Sequence, residues 1–257
     1  MHALKPVFLF LSFVLFLSCK TSFQSQKLHF EDYKITKANP ADPQLQALIQ
    51  PYADSVNRSM NDVIGSAEIT LEKKQPEGTL GNFIVDAMYA MAKEKYKEPV
   101  DIAVMNSGGI RLTTIPAGNI TRGKIFELSP FDNIIVILKI TGSQLQEFLN
   151  HIARRMQMDR PGNKGAWPVS GMQFQIKDYR AVNVLIGGIP MSPSKTYSMA
   201  TLDYVANGGD DASMLRGIHQ SNNGNIFREN LLEYIMAINK TGHKISSSVQ
   251  NRISYAE

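Results

Sequence analysis

Cysteine is almost absent from this sequence. Cys19 is the only one among 257 residues, so the chain cannot form an internal disulfide. A domain without disulfides depends on the burial of apolar side chains for its stability. Hydrophobic residues make up 43% of the sequence, which allows one large or two small domains with a proper core.

The sequence also lacks the residue strings that hold catalytic metals or nucleophiles. Two-metal phosphohydrolases need several Asp, His and Asn ligands close together to activate a water. Beyond residue 18 the histidines are His29, His151, His219 and His243, and none belongs to an Asp-x-His, Gly-Asn-His or Gly-His-x-His string. No serine-nucleophile elbow, Walker loop or Cys-His pairing occurs either. We therefore predict a structural role for each histidine, and no catalytic residue or metal site in this chain.

A large excess of one charge is missing as well. The formal net charge is +4, from 27 basic and 23 acidic residues. Domains that bind nucleic acid usually carry a larger, clustered positive charge, so a nucleic acid polymer is not an expected partner. The small excess would still help to attract a small anionic ligand.

Long apolar runs are limited to one segment near the start, from Val7 to Leu17, which follows Lys5. The run is shorter than the about 20 residues of a membrane-spanning helix and has the pattern of a secretion signal. Cys19 stands where a bacterial lipoprotein is cleaved and acylated. We predict a lipoprotein signal peptide over residues 1–18 and an exported protein, periplasmic or at the outer membrane of a Gram-negative bacterium. The alternative is an ordinary signal peptide with an incidental cysteine, which changes the anchoring but not the compartment.

Helical and strand patterns alternate in the middle of the chain, and several strand patterns then follow one another before the last helix. Residues 19–40 are predicted to form a tether and a leading extended strand, and residues 41–257 a single domain. Helices are predicted over about 42–63, 80–96, 143–155 and 226–239, and strands over 100–105, 134–140, 172–177, 181–186 and 197–201. Asp42 can cap the first helix, and Pro51 should kink or break it. The pattern favours a compact α/β domain with more than one layer of helices.

Three turn segments beside predicted strands carry the functional signal. They are Asn106–Arg111 (NSGGIR), Ser129–Asn133 (SPFDN) and Tyr204–Asp210 (YVANGGD). The amides around Gly108 and Gly109 can approach an anion closely because glycine has no Cβ. Arg111 adds a guanidinium that can hold a phosphate through two parallel hydrogen bonds. The alternative is a tight turn whose arginine pairs with a neighbouring carboxylate.

The other two turns supply aromatic and polar side chains. Phe131 and Tyr204 could hold a base between their rings, and such stacking is worth about 1 to 3 kcal/mol per base. Asn133 offers a donor and an acceptor to the edge of a heterocycle, and Asp210 could accept hydrogen bonds from sugar hydroxyls. Taken singly, each aromatic could instead belong to the core, and Asp210 could cap a helix after the glycine turn.

These turns occur with several further segments in the order of one protein family. The segments are Leu80-Gly81-Asn82 with Asp86, NSGGIR, PAGNIT (Pro116–Thr121), SPFDN, ITGSQL (Ile140–Leu145), VSG (Val169–Gly171), KTY-x-MATLDY (Lys195–Tyr204) and NGGDD. Together they resemble the C-terminal domain of the bacterial and animal 5'-nucleotidases, over about residues 42–238. The resemblance implies an α/β (α+β) fold, a four-layer α-β-β-α sandwich that binds the nucleotide. In that family a separate N-terminal metallophosphatase domain holds two metal ions and performs hydrolysis.

The resemblance also implies a role for each turn residue. Phe131 and Tyr204 would stack on the base, and Asn133 would meet the edge of the base. Asp210 would bind the ribose hydroxyls, and Arg111 would bind the phosphate.

Two positions depart from the family pattern. Tyr204 stands where the family commonly has Phe, although a tyrosine ring can still stack on a base. The family often has further arginines just before the Leu-Gly-Asn motif, where this chain has Lys74 as the nearest substitute. A lysine gives charge without the bidentate geometry of a guanidinium. The phosphate could therefore be held less firmly, or the preferred ligand could differ from the common nucleoside monophosphates.

The sequence keeps the residues expected to bind a nucleotide but lacks the strings that would hold two metal ions. This combination predicts the nucleotide-binding half of a split 5'-nucleotidase. Such a chain would work with a separately encoded metallophosphatase, which would carry the divalent metals, and it would not hydrolyse nucleotides alone. No cofactor is expected in this chain. A second hypothesis is a non-catalytic lipoprotein that binds a nucleoside or nucleotide without an enzyme partner. A third is a relic fold that serves only as an interaction surface.

Overall fold

The computed structural model describes residues 31–36, 39–157 and 167–257. The predicted signal peptide, Cys19 and most of the predicted tether lie outside the described residues. Residues 31–36 have no regular secondary structure, so the predicted leading strand is not present in the part that is described. None of the described helices is long and apolar enough to span a bilayer. The described residues fall into two units, one up to residue 48 and one from residue 49 to residue 257.

Helices and strands are mixed along the described chain, and several consecutive strands follow residue 168, as predicted. The helices are α1 (Pro43–Met60), α2 (Thr79–Lys95), α3 (Arg122–Leu128), α4 (Gly142–Gln157), α5 (Asp203–Ala206) and α6 (Phe227–Lys240). The strands are β1 (Val63–Ala67), β2 (Leu71–Glu72), β3 (Ile102–Val104), β4 (Thr114–Ile115), β5 (Gly118–Thr121), β6 (Ile134–Thr141), β7 (Val169–Ser170), β8 (Met172–Lys177), β9 (Arg180–Ile186), β10 (Ile189–Pro190), β11 (Thr196–Leu202), β12 (Gln220–Ile226) and β13 (Ile253–Tyr255).

The helix α1 starts at its predicted cap. Asp42 Oδ1 accepts hydrogen bonds from the backbone N–H groups of Gln44 and Leu45, at 2.8 and 3.2 Å, as an N-cap carboxylate does. The helix continues through Pro51, so the predicted break is not present. Proline removes one helical hydrogen bond. Because no residue of α1 is buried, water can bind the carbonyl that loses its partner.

The largest sheet has five strands in the order β12-β6-β11-β3-β7. In this sheet β11 pairs parallel with β3 and antiparallel with β6. The strands β6 and β11 are largely buried. The sequence of β6 is accordingly a nearly continuous apolar run. Helix α2 packs against this sheet and against α6.

A four-stranded sheet in the order β10-β9-β8-β13 lies in the same unit. Helix α4 packs against β9. Buried and exposed residues alternate along β8, as expected when one face of a strand meets the core. Two short pairs, β1 with β5 and β2 with β4, add to these sheets. Two larger sheets with helices packed on them confirm the predicted α/β fold class.

The five-stranded sheet brings the three predicted turns to one edge. Strands β3 and β11 run parallel, with Ala103 opposite Ala200, so the turns that follow them lie at the same end of the sheet. Strand β6 runs antiparallel to β11, with Ile135 opposite Leu202, so the turn that precedes β6 lies at that end too. Strand pairing therefore gathers residues that are far apart in the sequence.

A separate polar cluster joins the end of the chain to α2. The Arg252 guanidinium donates to both carboxylate oxygens of Asp86, at 2.7 Å each, and the Ser170 hydroxyl donates to Asp86 Oδ1 at 2.6 Å. Glu77 accepts hydrogen bonds from the backbone N–H groups of Gln250 and Arg252, at 2.9 and 2.8 Å. We call Glu77, Asp86, Ser170 and Arg252 the C-terminal clamp, because they fix the segment that leads into β13.

Candidate functional site

A cavity of about 330 Å³ opens where the three turns meet, and we call it the turn cavity. Its lining residues are Asn106, Gly108, Gly109, Arg111, Phe131, Asn133, Tyr204 and Asp210. The volume falls at the lower end of the range of small-molecule sites, about 300 to 1,000 Å³. Seven of the eight residues predicted to bind a ligand line it, and Lys74 does not.

Lys74 pairs with a neighbour instead. Its Nζ lies 2.6 Å from Glu72 Oε2, and its side chain is 63% exposed. The adjacent Lys73 reaches the first turn, where its Nζ donates to the carbonyl oxygens of Ser107 and Ile110 at 2.8 and 2.9 Å. Lys73 therefore ties the two ends of the glycine turn together. The sequence analysis named Lys74 as the nearest cation, but the structure places its neighbour Lys73 at the glycine turn.

The two glycines of the first turn serve different purposes. At Gly109 there is no room for a side chain, because a Cβ would lie 2.8 Å from Met105 Cε and 3.0 Å from Asn106 Oδ1. At Gly108 a Cβ would point toward the turn cavity, 3.6 Å from Asp210 Oδ2. The bare backbone at Gly108 is therefore open to a ligand.

Arg111 brings positive charge to the turn cavity. Its guanidinium carbon lies 5.8 Å from the centroid of the Phe131 ring, and its Nη1 lies 3.5 Å from the Gly108 carbonyl oxygen. Among the described residues no carboxylate forms an ion pair with Arg111. The alternative of a structural arginine paired with a neighbouring carboxylate therefore has no support in that part of the chain. Its donors are available to an anion.

The two predicted stacking residues are exposed at the cavity. Phe131 and Tyr204 are 45% and 46% exposed. Core aromatics bury most of their large surface, so the alternative that these rings belong to the core does not hold. Asn133 lines the cavity close to them, and its backbone carbonyl accepts a hydrogen bond from the Phe227 N–H at 2.8 Å. This bond holds the second turn against α6.

Asp132 gives the second turn a further attachment to α6. Its Oδ1 lies 2.5 Å from Arg228 Nη2, and the Arg228 side chain is only 10% exposed. The Arg228 guanidinium carbon also lies 4.3 Å from the centroid of the Phe126 ring. The Ile134 N–H donates to Asp203 Oδ1 at 3.0 Å, which links the second turn to the third.

Asp210 presents a carboxylate to the cavity. Its Oδ2 accepts a hydrogen bond from Asn106 Nδ2 at 2.6 Å, and its Oδ1 accepts one from the Tyr204 hydroxyl at 3.4 Å. That hydroxyl accepts a hydrogen bond from the Asp210 N–H at 3.2 Å. The alternative role as a helix cap is not seen, since the 3-10 turn at Gly209–Asp211 has no side-chain cap bond. The prediction also did not single out Asn106, which belongs to the NSGGIR segment but carries no separate signal.

The groups that line the turn cavity are of the kinds that bind a ligand. It offers two exposed aromatic rings, one guanidinium, one carboxylate and the backbone at Gly108. The N–H groups of Gly109 and Ile110 are already used, because they donate to the carbonyl oxygens of Asn106 and Ser107 at 3.2 Å. Within the described part of the chain, no group of three or more His, Cys, Asp and Glu residues could hold a metal ion. The arrangement suits a molecule that combines a planar ring, hydroxyl groups and an anionic group.

Comparison with known sequences places this site in a family. Residues 56–217 match the model of the family described as 5'-nucleotidase, C-terminal domain. The chain is 32% identical over 174 residues to the Silent protein UshA(0) of Salmonella typhimurium, which covers 65% of this chain and 30% of that protein. It is 27% identical over 247 residues to the Trifunctional nucleotide phosphoesterase protein YfkN of Bacillus subtilis, which covers 90% of this chain and 16% of that protein.

Solved structures agree with the sequence comparison. A crystal structure of the 5'-nucleotidase precursor from Thermus thermophilus is similar with a TM-score of 0.68 and 26% identity, over 85% of this chain and 44% of that chain. The NAD nucleotidase of Haemophilus influenzae has the same fold, with a TM-score of 0.63 and 21% identity. The chain thus spans less than half the length of these relatives.

Proposed function

The chain belongs to the family of 5'-nucleotidase C-terminal domains, and from this premise we propose that it is the nucleotide-binding half of a split 5'-nucleotidase. A separately encoded metallophosphatase would complete the enzyme. The observation that carries the proposal is the turn cavity, where stacking rings, a carboxylate and a guanidinium without an ionic partner in the described chain meet. Together these groups match the parts of a nucleoside monophosphate.

The base would lie between the two exposed rings of the cavity. Phe131 and Tyr204 offer their faces for stacking, which tolerates different bases because every base has a π face. Asn133 would add one donor and one acceptor at the edge of the base. Because the second turn is held to α6 through Asp132 and the Asn133 carbonyl, the Phe131 ring is held ready for the base.

The sugar and the phosphate would be held by opposite charges. Among the described residues, each carboxylate oxygen of Asp210 accepts one hydrogen bond, from Asn106 or from Tyr204. A carboxylate has about four lone-pair sites, so sites would remain for ribose hydroxyls. Arg111 would hold the phosphate, which could approach closely at Gly108 because glycine has no Cβ. The chain would thereby orient the phosphate ester toward the partner, where divalent metals would activate a water.

The first experiment is calorimetric titration of the purified protein with adenosine and AMP. The double variant Phe131→Ala/Tyr204→Ala should lose about 100-fold in affinity for both ligands, because both stacking contacts disappear. Tyr179→Ala/Tyr255→Ala is the matched control, since both tyrosines are exposed and neither lines the cavity. Tyr179 lies in the turn between β8 and β9, and Tyr255 lies in β13. The control should bind as the wild type does, and a wild type that binds neither ligand at millimolar concentration would refute the proposed site.

A second assay tests the split enzyme. The protein with added divalent metal should release no phosphate from AMP, and release should begin when a metallophosphatase that copurifies with it is added. Phosphate release by the protein alone, at a rate that scales with purity, would overturn the proposal. Tight binding without any metallophosphatase partner would favour the alternative of a non-catalytic binding lipoprotein. That alternative is also supported by a cavity lined by residues of this one chain.

We further propose that the protein is exported and anchored by a lipid on Cys19. The support is the apolar run from Val7 to Leu17 followed by the single cysteine. Mass spectrometry of the protein from membranes should find an acylated Cys19 at the N-terminus. An unmodified Cys19 would contradict the lipid anchor and favour the alternative of an ordinary signal peptide with an incidental cysteine.

A further inference from the structure

His151 is a buried histidine that the binding mode above does not use. It lies in α4, and its ring meets the Trp167 ring edge-on, with centroids 6.2 Å apart and planes at 88°. Its Nε2 lies 3.0 Å from the backbone carbonyl oxygen of Asp210. A carbonyl oxygen only accepts, so Nε2 carries the hydrogen and donates it. The imidazole therefore reaches from α4 to the residue whose carboxylate faces the cavity.

The backbone at Asp210 needs such support. Asp210 has φ of 50° and Asp211 has φ of 62°, in the left-handed region that residues other than glycine avoid. Consecutive residues in this region persist only where their surroundings hold them. Arg155, one turn after His151 in α4, donates to the Asp211 carboxylate at 2.7 Å, but both of these side chains are exposed. His151 makes the buried attachment.

The direction of the Asp210 carboxylate depends on that backbone. Asn106 and Tyr204 bind its two oxygens and so fix the rotation of the side chain. They do not fix the peptide group that follows the Asp210 Cα atom. His151 donates to the carbonyl oxygen of that peptide group. We propose that His151 is a positioning residue for sugar recognition, which holds Asp210 in the conformation that presents its carboxylate to the sugar hydroxyls. This inference rests on the proposed nucleotide-binding function.

The surroundings of His151 fit a neutral donor. Burial lowers the pKa of His151, and the hydrogen bond to Asp210 opposes that effect only in part. The positive charges of Arg155 and Arg154 lower the pKa of His151 further, and the negative charge of Asp211, a smaller effect, raises it. A neutral ring with its hydrogen on Nε2 satisfies the Asp210 carbonyl without placing another cation among these arginines.

The test compares two ligands that differ only in the sugar hydroxyls, adenosine and 2′,3′-dideoxyadenosine. The wild type should bind adenosine about 10-fold more tightly, because dideoxyadenosine leaves the Asp210 carboxylate without its partners. His151→Leu should remove most of this preference and leave the affinity for dideoxyadenosine unchanged. His151→Gln should restore the preference, since the amide nitrogen of Gln can donate from nearly the same place as Nε2. His219→Leu, at an exposed histidine outside the cavity, is the control and should bind as the wild type does.

The outcomes separate this inference from the proposed function. If the wild type binds both nucleosides equally, the sugar contact of the proposed function is wrong and the inference falls with it. If the wild type prefers adenosine and His151→Leu keeps that preference, or loses affinity for both ligands equally, the inference alone is wrong. If His151→Leu does not fold, nitrogen-15 NMR of the wild-type imidazole tests the inference instead, because it shows which ring nitrogen carries the hydrogen. The hydrogen should reside on Nε2 and its signal should shift with adenosine but not with dideoxyadenosine, and a hydrogen on Nδ1 would overturn the inference.

Discussion

The C-terminal clamp and the turn cavity use the same kinds of residues in opposite ways. In the clamp, Arg252 donates to both oxygens of Asp86, and its side chain is only 12% exposed. In the cavity, Arg111 has no carboxylate partner among the described residues, and Asp210 accepts only from neutral donors. A buried charge pair satisfies itself, whereas a site that binds a charged ligand must leave its own charges available. Both places contain an arginine and an aspartate. The C-terminal clamp differs from the turn cavity in that its arginine and aspartate pair with each other.

Arg252→Met tests the clamp side of this comparison and should have the largest effect. The Arg252 side chain is 12% exposed and the Asp86 side chain 35% exposed. Removing the guanidinium leaves a partly buried carboxylate without its cation, so the free energy of unfolding should fall by about 2 kcal/mol, between the values for exposed and buried pairs. Chemical denaturation followed by circular dichroism measures this change. The affinity of the folded variant for adenosine should not change, because the C-terminal clamp contributes no residue to the lining of the cavity.

Two further variants sharpen the result. Arg180→Met, at an exposed arginine of β9, should leave the free energy of unfolding within about 0.5 kcal/mol of the wild type. Asp86→Leu/Arg252→Met should recover part of the lost stability, since removing both charges leaves none unpaired. A loss of adenosine affinity in Arg252→Met as large as the loss of stability would show that clamp and cavity are not separate.

Arg111→Lys tests the cavity side, with an intermediate effect. A lysine keeps the charge but loses the bidentate fork, so the affinity for AMP should fall about 10-fold. The affinity for adenosine, which has no phosphate, should stay the same. Calorimetric titration of both ligands measures this, with Arg180→Lys as the control that should change neither. An equal loss for adenosine would mean that Arg111 acts through its contact with Phe131 and not through the phosphate.

The sequence predicted the long elements of this fold because their patterns are strong. Strand β6 is an apolar run, and α4 has apolar residues at helical spacing. Strand β12, with the sequence QSNNGNI, is mostly exposed, and so it has no apolar pattern to detect. The pairs β1 with β5 and β2 with β4 are short and were not predicted, because their partners lie far apart in the sequence.

The site was predictable to the extent that its residues stand in recognisable turns. Arg111 and Asp210 belong to such turns, and the structure brings them to one cavity. The residues that hold those turns in place could not be predicted. Lys73, His151 and Arg228 lie in other elements, and only the paired strands and packed helices bring them to the turns. Supporting contacts of this kind leave no local pattern in the sequence.

Asp132→Asn tests one of those supporting contacts and should have the smallest effect. Asp132 is 74% exposed, so losing its charge should weaken the pair with Arg228 by less than about 1 kcal/mol. Because the pair holds the second turn, the affinity for adenosine, dideoxyadenosine and AMP should fall equally, by about 2-fold to 3-fold. Glu127→Gln, which weakens the exposed pair with Lys124 in α3, is the matched control and should change none of the three. A loss confined to AMP would assign Asp132 to the phosphate, and no loss at all would mean that the bond from the Phe227 N–H to the Asn133 carbonyl holds the turn without it. An equal loss for all three ligands would show that α6, whose residues do not line the cavity, helps to hold the base-binding turn in place.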